Sequence, residues 1–344
     1  MTDFRARLTR LVRLAAPGPG CARPLWLAVP EAAGLRAALK AQRYYRLADG
    51  LAALRERDVV AWALAVEALA DWPEPMRELD WWVWEADHLG EPRLARGIHT
   101  VRNLGGGNGL GTAPLSVPGL ARFFRQVERA ERDLAAAAER LPQSAEPWSW
   151  LLCSGLFAGL DDGVLAARFA AAVEREPGHL PAHVQRVRSL AGDECGCDEA
   201  LAFARSVAGA SPRGSVLHGL VAQAWIERWA WQLYTDGPAS ARATLVAPTV
   251  VAEVRAAFAA SLGSARYRPG ARAALPAGFF AMVFHLQDDR EGALQATEQM
   301  AGLACRYPWS YLPWIGAQHG CDAGLPAWIR AALGRARVAD PDRC

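Results

Sequence analysis

Apolar residues recur along this chain at the three- and four-residue spacing of amphipathic helices, and convincing strand-like alternation is hard to find. Prolines and glycines interrupt the pattern at intervals, because proline begins or ends a helix and glycine weakens one. The pattern therefore predicts an all-α chain. In its first part we expect helices at about 3–15, 31–55, 57–71, 75–89, 92–104 and 119–141.

The segment 145–178 has the pattern of a helical hairpin. Its first helix carries Trp148, a turn is expected at Asp161-Asp162-Gly163, and the second helix carries Phe169 and ends at Pro177. An early tryptophan, a late aromatic residue and a proline after the second helix are typical of the tetratricopeptide repeat (TPR).

A second copy of this pattern follows about 35 residues later. It begins at Ala182, is expected to turn near Cys197-Asp198, carries Phe203 and ends at Pro212. One hairpin cannot bury its apolar face alone, so such repeats stack on their neighbours. Leu152 stands where the TPR has a small residue, and the repeat is therefore TPR-like rather than a standard TPR.

Two further hairpins are predicted, at 215–234 with 238–262 and at 275–289 with 291–306. The residues after Pro308 include Trp309, Trp314 and Trp328, and we expect them to cover the end of the stack as a cap.

The prediction for the whole chain is a TPR-like α-solenoid with irregular N-terminal helices and a C-terminal cap. Its predicted parts are a basic amphipathic helix and linker (1–20), an N-terminal helical region (21–104), a glycine-rich connector (105–118), the repeats with their cap (119–337) and a tail (338–344). The glycine run in the connector lacks the Gly-Lys-Ser/Thr ending and the preceding strand of a phosphate-binding loop, which favours a flexible linker.

Composition narrows the class of protein without naming an activity. The 344 residues are 52% hydrophobic and 22% charged, enough for a large core. The net charge is +2 without an extended basic field, so we expect no nucleic-acid partner. Seven scattered cysteines favour a reducing compartment. No stretch approaches the roughly 20 apolar residues that span a bilayer, and a cytoplasmic location is predicted.

The first predicted helix is amphipathic, with Phe4, Leu8, Leu11 and Val12 on one face and arginines mostly outside it. Such a helix either packs on the body of the protein or docks on a membrane surface or a partner.

Lys40 is the only lysine among the 38 basic residues. With the abundant alanine, glycine and proline, this bias is typical of a GC-rich genome. The alternative is selection of arginine for bidentate phosphate binding.

Five segments carry a resemblance to a known family: Ala95–Gly97, Ala130–Leu134 with Pro147-Trp148 after it, Ala202–Arg205, Gly214–His218 and Trp225–Trp229. Together they resemble an actinobacterial domain of unknown function, numbered 4034, over residues 35–311. The resemblance implies a TPR-like helical fold and no established activity. Members usually have a Lys-Trp and then a Gly-Ser stretch before the Phe-Ala-Arg segment, and this chain has Ala191–Cys197 there instead.

Cys195 and Cys197 form one candidate metal site, because thiolates and the neighbouring Asp193, Glu194 and Asp198 carboxylates could share a zinc ion. A structural zinc site normally has a second ligand pair, and the spacing here is shorter than the usual Cys-x-x-Cys. The alternative is an exposed turn between helices.

Two acidic pairs, Asp161-Asp162 and Asp288-Asp289, form a second candidate metal site in segments rich in aromatic residues. Paired carboxylates in an aromatic-lined helical enzyme could bind magnesium diphosphate. The alternative is that each pair occupies a turn, where aspartate binds local backbone amides.

His218, Trp225 and Trp229 fall on one helical face, with Arg228 on the same predicted helix. They favour either a cation–π pocket or tryptophans in the core with a hydrogen-bonded histidine. Trp81, Trp82 and Trp84 raise a related question. Three tryptophans among four residues cannot all face one core, so we expect at least one at a rim, groove or partner surface.

The leading hypothesis is an interaction scaffold or adaptor that binds a protein or peptide partner. No coherent set of catalytic residues is recognisable, which argues against an enzyme without deciding it, and no cofactor is expected. Its candidate binding residues are Trp225, Arg228, Arg186, His218 and Trp229. The alternative is an enzyme or accessory factor of small-molecule metabolism, with an aromatic pocket between helices and possible use of Mg²⁺. A third hypothesis is a membrane-surface adaptor that uses the N-terminal helix.

Overall fold

The structure is a computed structural model that describes residues 24–72, 76–104, 117–192, 194–303, 307–309 and 311, without the side chains of 117, 118, 194 and 195. Within these ranges the chain forms fifteen α-helices and two short 3₁₀ helices and contains no strand, which confirms the all-α prediction. The predicted helix at 3–15, most of the connector, and nearly all of the cap and tail lie outside the described residues.

In chain order the helices are α1 (Ala32–Lys40), α2 (Tyr44–Arg57), α3 (Val59–Ala70), α4 (Arg77–Glu85), α5 (Glu91–Asn103), α6 (Val117–Arg140), α7 (Glu146–Ala158), α8 (Asp162–Arg175), α9 (Leu180–Leu190), α10 (Glu194–Ala210), α11 (Gly219–Thr235), α12 (Pro238–Leu245), α13 (Pro248–Ala260), α14 (Ala274–Leu286) and α15 (Arg290–Glu298).

From Trp26 onward, backbone contacts divide the chain into two compact units, Trp26–Gln185 and a second unit that begins at Arg186. In the first unit α3 packs on α1, α2 and α5, and α6 packs on both α5 and α7. In the second unit α11 packs on α10, α12, α13 and α14, and α14 also packs on α15.

Each unit is built around a helix that is buried on most of its surface. In the first unit this helix is α3, in which Trp62 and Leu64 are among the eight buried residues. In the second unit it is α14, in which Phe279, Phe280 and Phe284 are fully buried. Helices that are apolar all round belong in a core, because no polar face is available for solvent.

The predicted hairpin at 145–178 is present as α7 and α8. Gly159 ends α7 in the left-handed conformation at φ 69°, and Asp161 then caps α8 through a hydrogen bond from the Val164 amide. Both are ordinary helix-terminus chemistry, since glycine adopts positive φ without strain and aspartate accepts from first-turn amides.

Two predicted turns and helices differ from the structure. The expected helix at 31–55 is two helices, because Gln42 takes a φ of 54° between α1 and α2, and no proline or glycine marks that break. The turn expected near Cys197-Asp198 lies earlier in the chain, at Ala191-Gly192. Cys197 and Asp198 instead belong to α10. An acidic residue opens α10, as the helix dipole favours.

The predicted helix at 238–262 is also divided, into α12 and α13, each with a proline at its start. None of the described helices is by itself long and apolar enough to cross a membrane. Together α12 and α13 meet that requirement by length and composition, with a 57° bend between them.

Candidate functional site

Helix α4 presents one buried and one exposed aromatic surface. Successive residues of a helix are about 100° apart, so neighbouring tryptophans point in different directions. Trp82 is fully buried with Leu79, whereas Trp81 is 51% exposed and Trp84 is 71% exposed. The rings of Trp81 and Trp84 meet edge to face at 5.8 Å between centroids. This confirms that at least one of the three tryptophans lies outside the core.

The carboxylates of α4 divide into two groups. Asp80 forms ion pairs with Arg96 at 3.1 Å and with Arg129. Glu78 and Glu85 lie one turn before and one turn after Trp81, and neither forms an ion pair with a residue that the structure describes. Two acidic residues that form no ion pair with a described residue therefore lie within one turn of Trp81 on α4.

An ion-pair network holds α4 against the helices behind it. Asp133 of α6 is 2% exposed and accepts hydrogen bonds from Arg96 of α5 at 2.7 and 2.6 Å. Arg96 also reaches Asp80 of α4, so one guanidinium links three helices. A planar guanidinium binds a carboxylate bidentately, which fixes direction as well as distance. The exposed aromatic surface is consequently supported by a defined scaffold.

The first unit also contains a half-open cleft of about 510 Å³. It is lined by α2 residues between Ala48 and Glu56, by Trp82, by the turn His88–Gly90 with Glu91, and by Arg140-Leu141. On α2 the lining residues Asp49, Ala52 and Glu56 follow one another at helical spacing, so they form one stripe.

The polar lining of the cleft carries both signs of charge. Arg55 approaches Glu91 at 3.8 Å, and Arg140 donates to the carbonyl oxygen of Asp87 at 2.7 Å. Asp49 and Glu56 form no ion pair with the residues in the described ranges. The volume of this half-open cleft falls within the size range of small-molecule sites.

Two of the five predicted binding residues lie together in the second unit. The guanidinium of Arg228 lies 5.9 Å from the ring of Trp225, and Arg205 lies 6.0 Å from the same ring. The indole N–H of Trp225 donates to Glu253 at 2.9 Å, and Arg228 pairs with Asp198. The charged groups of this cluster therefore pair with partners on helices α10, α11 and α13 of the same chain.

The strongest pair in this cluster is Arg205 with Glu253. The guanidinium donates two hydrogen bonds to the carboxylate, at 2.6 and 3.0 Å. The bond from Arg205 holds the pKa of Glu253 below its ordinary value, and the same bond raises the pKa of Arg205. Sequence reasoning missed Arg205 and Glu253, which lie 48 residues apart.

Of the other three predicted residues, His218 and Trp229 make no hydrogen bond or ring contact with this cluster among the described residues. His218 Nε2 lies 3.1 Å from the carbonyl oxygen of Pro212. Trp229 is buried at 6% exposure, as the core alternative expects. Arg186 donates to Ser189 Oγ on its own helix at 3.2 Å.

The candidate metal ligands occupy helix starts. Asp161 and Asp289 accept from backbone amides at the start of α8 and α15, and Asp162 is the first residue of α8. Asp288 pairs with Arg242 at 2.6 Å. Cys197 is 1% exposed within α10. The Cys195 side chain lies outside the described residues. No three His, Cys, Asp or Glu side chains in the described ranges converge as a metal site.

Comparison with known proteins adds no relative to these observations. The sequence matches no protein-family model, and it matches no curated protein. The resemblance to the actinobacterial family therefore stays a prediction.

Proposed function

We propose that this chain is a TPR-like helical-repeat protein of the cytoplasm that binds a protein or peptide partner. The resemblance to the actinobacterial family 4034 supports the helical-repeat fold alone. The observation that carries the proposal is the pair of exposed tryptophans on α4. A buried aromatic side chain is ordinary, but two adjacent indoles in water are unfavourable unless a partner covers them. The α7–α8 hairpin supports the repeat interpretation.

The experiment is photo-cross-linking in cells of the source organism. A benzophenone amino acid replaces Trp81 or Trp84 in the full chain, and the same amino acid at Tyr234 is the matched control, since that side chain is also 58% exposed. We expect one defined cross-linked protein from positions 81 and 84 and none from 234. Equal, diffuse cross-linking from all three positions would contradict the proposal.

The binding surface first inferred from the sequence, Trp225 with Arg228 and Arg186, can be tested in the same assay. Arg228→Ala and Arg186→Ala each keep the aromatic core and remove one charge. If these variants lose the partner while Trp84→Ala keeps it, the surface lies in the second unit.

The cleft of about 510 Å³ favours a second candidate function, an enzyme or accessory factor that binds a small molecule. The acidic pairs at 161–162 and 288–289 do not line this cleft, so magnesium-diphosphate chemistry gains no support from it.

Filling the cleft tests this alternative. Ala52→Trp places an indole on a lining position, and Ala53→Trp makes the same change on a neighbouring exposed position that does not line the cleft. Protein purified from its source is denatured, and released compounds are measured by mass spectrometry. A ligand should leave wild-type and Ala53→Trp protein but be missing from Ala52→Trp. Absence of any released compound would contradict the ligand-carrier function.

A further inference from the structure

Basic side chains cover many of the tryptophan rings in this chain. Within the described residues, six indoles have a guanidinium or ammonium group 3.8–6.0 Å from the ring centroid. These indoles are Trp26, Trp62, Trp72, Trp148, Trp150 and Trp225. Such contacts are attractive because the ring face carries negative charge density.

The best-developed example is Arg36, which lies 4.7 Å from the ring of Trp26 and 3.8 Å from the ring of Trp72. Its guanidinium also donates to the Asp71 carbonyl oxygen at 2.9 Å, near the end of α3. One arginine thus satisfies two indole faces and a helix terminus.

Among the tryptophans that the structure describes, Trp81 and Trp84 are the exposed ones. No described arginine or lysine lies over either ring. The edge-to-face contact between them leaves indole surface open to solvent. They therefore present an indole surface of the kind that six other described tryptophans have covered with a cation.

The charges around Trp81 are also suited to a cation. Glu78 and Glu85 lie one turn before and one turn after Trp81 on α4, without an ion pair to described residues, while Asp80 is already bound to Arg96. Burial, and then the charges of Glu78 and Glu85, raise the pKa of Tyr44, so both carboxylates act on one place at the start of α2. Helix α4 carries a single basic residue, Arg77, against these acidic groups.

We propose that the aromatic surface of α4 (Trp81 and Trp84 with Glu78 and Glu85) binds an arginine-bearing, basic peptide segment of a partner protein. The guanidinium stacks on an indole and forms an ion pair with a flanking glutamate. This inference rests on the proposed function and names the chemistry of the partner. The chain has a net charge of +2, so general attraction does not favour a basic partner and local groups must supply the binding.

The experiment is a fluorescence-anisotropy titration of the full chain with a fluorescein-labelled peptide of alternating arginine, glycine and serine. A second peptide has citrulline in place of arginine, which keeps the planar shape and removes the charge. We expect the arginine peptide to bind about tenfold more tightly, with an affinity that falls as salt rises. Equal binding of the two peptides would overturn the proposal.

Variants locate the binding. Trp81→Ala/Trp84→Ala and Glu78→Gln/Glu85→Gln should each weaken binding by about tenfold. The control Glu128→Gln/Glu139→Gln on α6 removes the same charge from other exposed positions and should bind as wild type does. Circular dichroism confirms that each variant is folded. If the control weakens binding equally, or the tryptophan variant changes nothing, the site is wrong.

Two other occupants of this surface are outcomes of the same experiment, and either would overturn the proposal of a different partner protein. The first is the arginine-rich start of this chain. In that case wild type fails to bind, and replacing Arg5, Arg7, Arg10 and Arg13 by glutamine restores binding. The second is another copy of the chain, in which case Trp81→Ala/Trp84→Ala converts a dimer to a monomer in sedimentation.

The two levels of proposal can fail separately. If cross-linking from positions 81 and 84 captures one defined partner while the arginine peptide does not bind, the function stands and the basic partner is wrong. If cross-linking captures no defined partner and the arginine peptide does not bind, both the proposed function and the basic partner are wrong.

Discussion

In the second unit, the buried carboxylate of Glu227 binds two tyrosine hydroxyls from a distant part of the chain. The carboxylate is 2% exposed, and it accepts hydrogen bonds from the Tyr307 hydroxyl at 2.6 Å and the Tyr311 hydroxyl at 2.7 Å. Arg188 lies 5.2 Å from the ring of Tyr307. Burial, and then the charge of Glu227, raise the pKa of Tyr307 well above its ordinary value, so its hydroxyl keeps the proton that it donates.

Removing one donor tests this arrangement. We expect Tyr311→Phe to lower the free energy of unfolding by about 1–3 kcal/mol, because a buried charged acceptor loses a hydrogen bond. Urea unfolding followed by circular dichroism measures the change. Tyr45→Phe is the control, since that side chain is 91% exposed and its hydroxyl is free to bind water. If the two variants lose the same stability, the Glu227 contacts contribute little.

At the scale of elements, three of the described helices have an aspartate cap at their start. Asp58 caps α3 by accepting from the Val60 and Ala61 amides at 2.9 and 3.0 Å. Asp161 caps α8, and Asp289 caps α15. A side-chain oxygen at this position satisfies amides that the helix itself leaves without a partner. The turn alternative for the two acidic pairs thus has direct geometric support.

Substitution of Asp161 separates the cap from a metal ligand. As a cap, Asp161→Ala should cost about 1 kcal/mol of stability and Asp161→Asn much less, because asparagine also caps well. Thermal unfolding with and without Mg²⁺ makes the measurement. Stabilisation by Mg²⁺ in wild type that is lost in Asp161→Asn would show instead that the carboxylate charge binds a cation.

At the scale of the whole molecule, two buried histidines and one half-buried histidine link stability to pH in both units. Burial lowers the pKa of His99 and His183 in the first unit and of His285 in the second. Each folded unit therefore favours neutral imidazole, while the unfolded chain binds protons with an ordinary histidine pKa of about 6.5. Stability is consequently full above that pH and is lost as the pH falls towards the lowered values.

We expect the free energy of unfolding to be smaller at about pH 5.5 than at about pH 7.5. The difference should reach up to about 1.4 kcal/mol for each pH unit by which folding lowers the pKa of a histidine. Denaturant titrations at the two pH values measure it. His183→Asn should reduce the difference, because one proton-binding site is removed from the unfolded chain. A stability that rises with acidity over this range would contradict the expectation.

The whole molecule also shows how far the candidate sites could be predicted. The crowding of Trp81, Trp82 and Trp84 already required an exposed indole, since helix geometry alone separates their directions. The cleft was missed, although the stripe of Asp49, Ala52 and Glu56 on α2 was a readable signal. The stripe lines a cleft only because tertiary packing places the turn at His88–Gly90 and the end of α6 opposite it.

The sequence by itself determined the all-α class and many of the helix ends, because periodicity, prolines and capping residues act within a few positions of one another. The hairpin of α7 and α8 follows from such local signals. Tertiary structure alone decided which charged side chains meet partners far away in the sequence. Glu227 meets Tyr307 and Tyr311 across 80 and 84 residues, and Arg205 meets Glu253 across 48. No local pattern encodes these distances, because packing of whole helices brings the groups together.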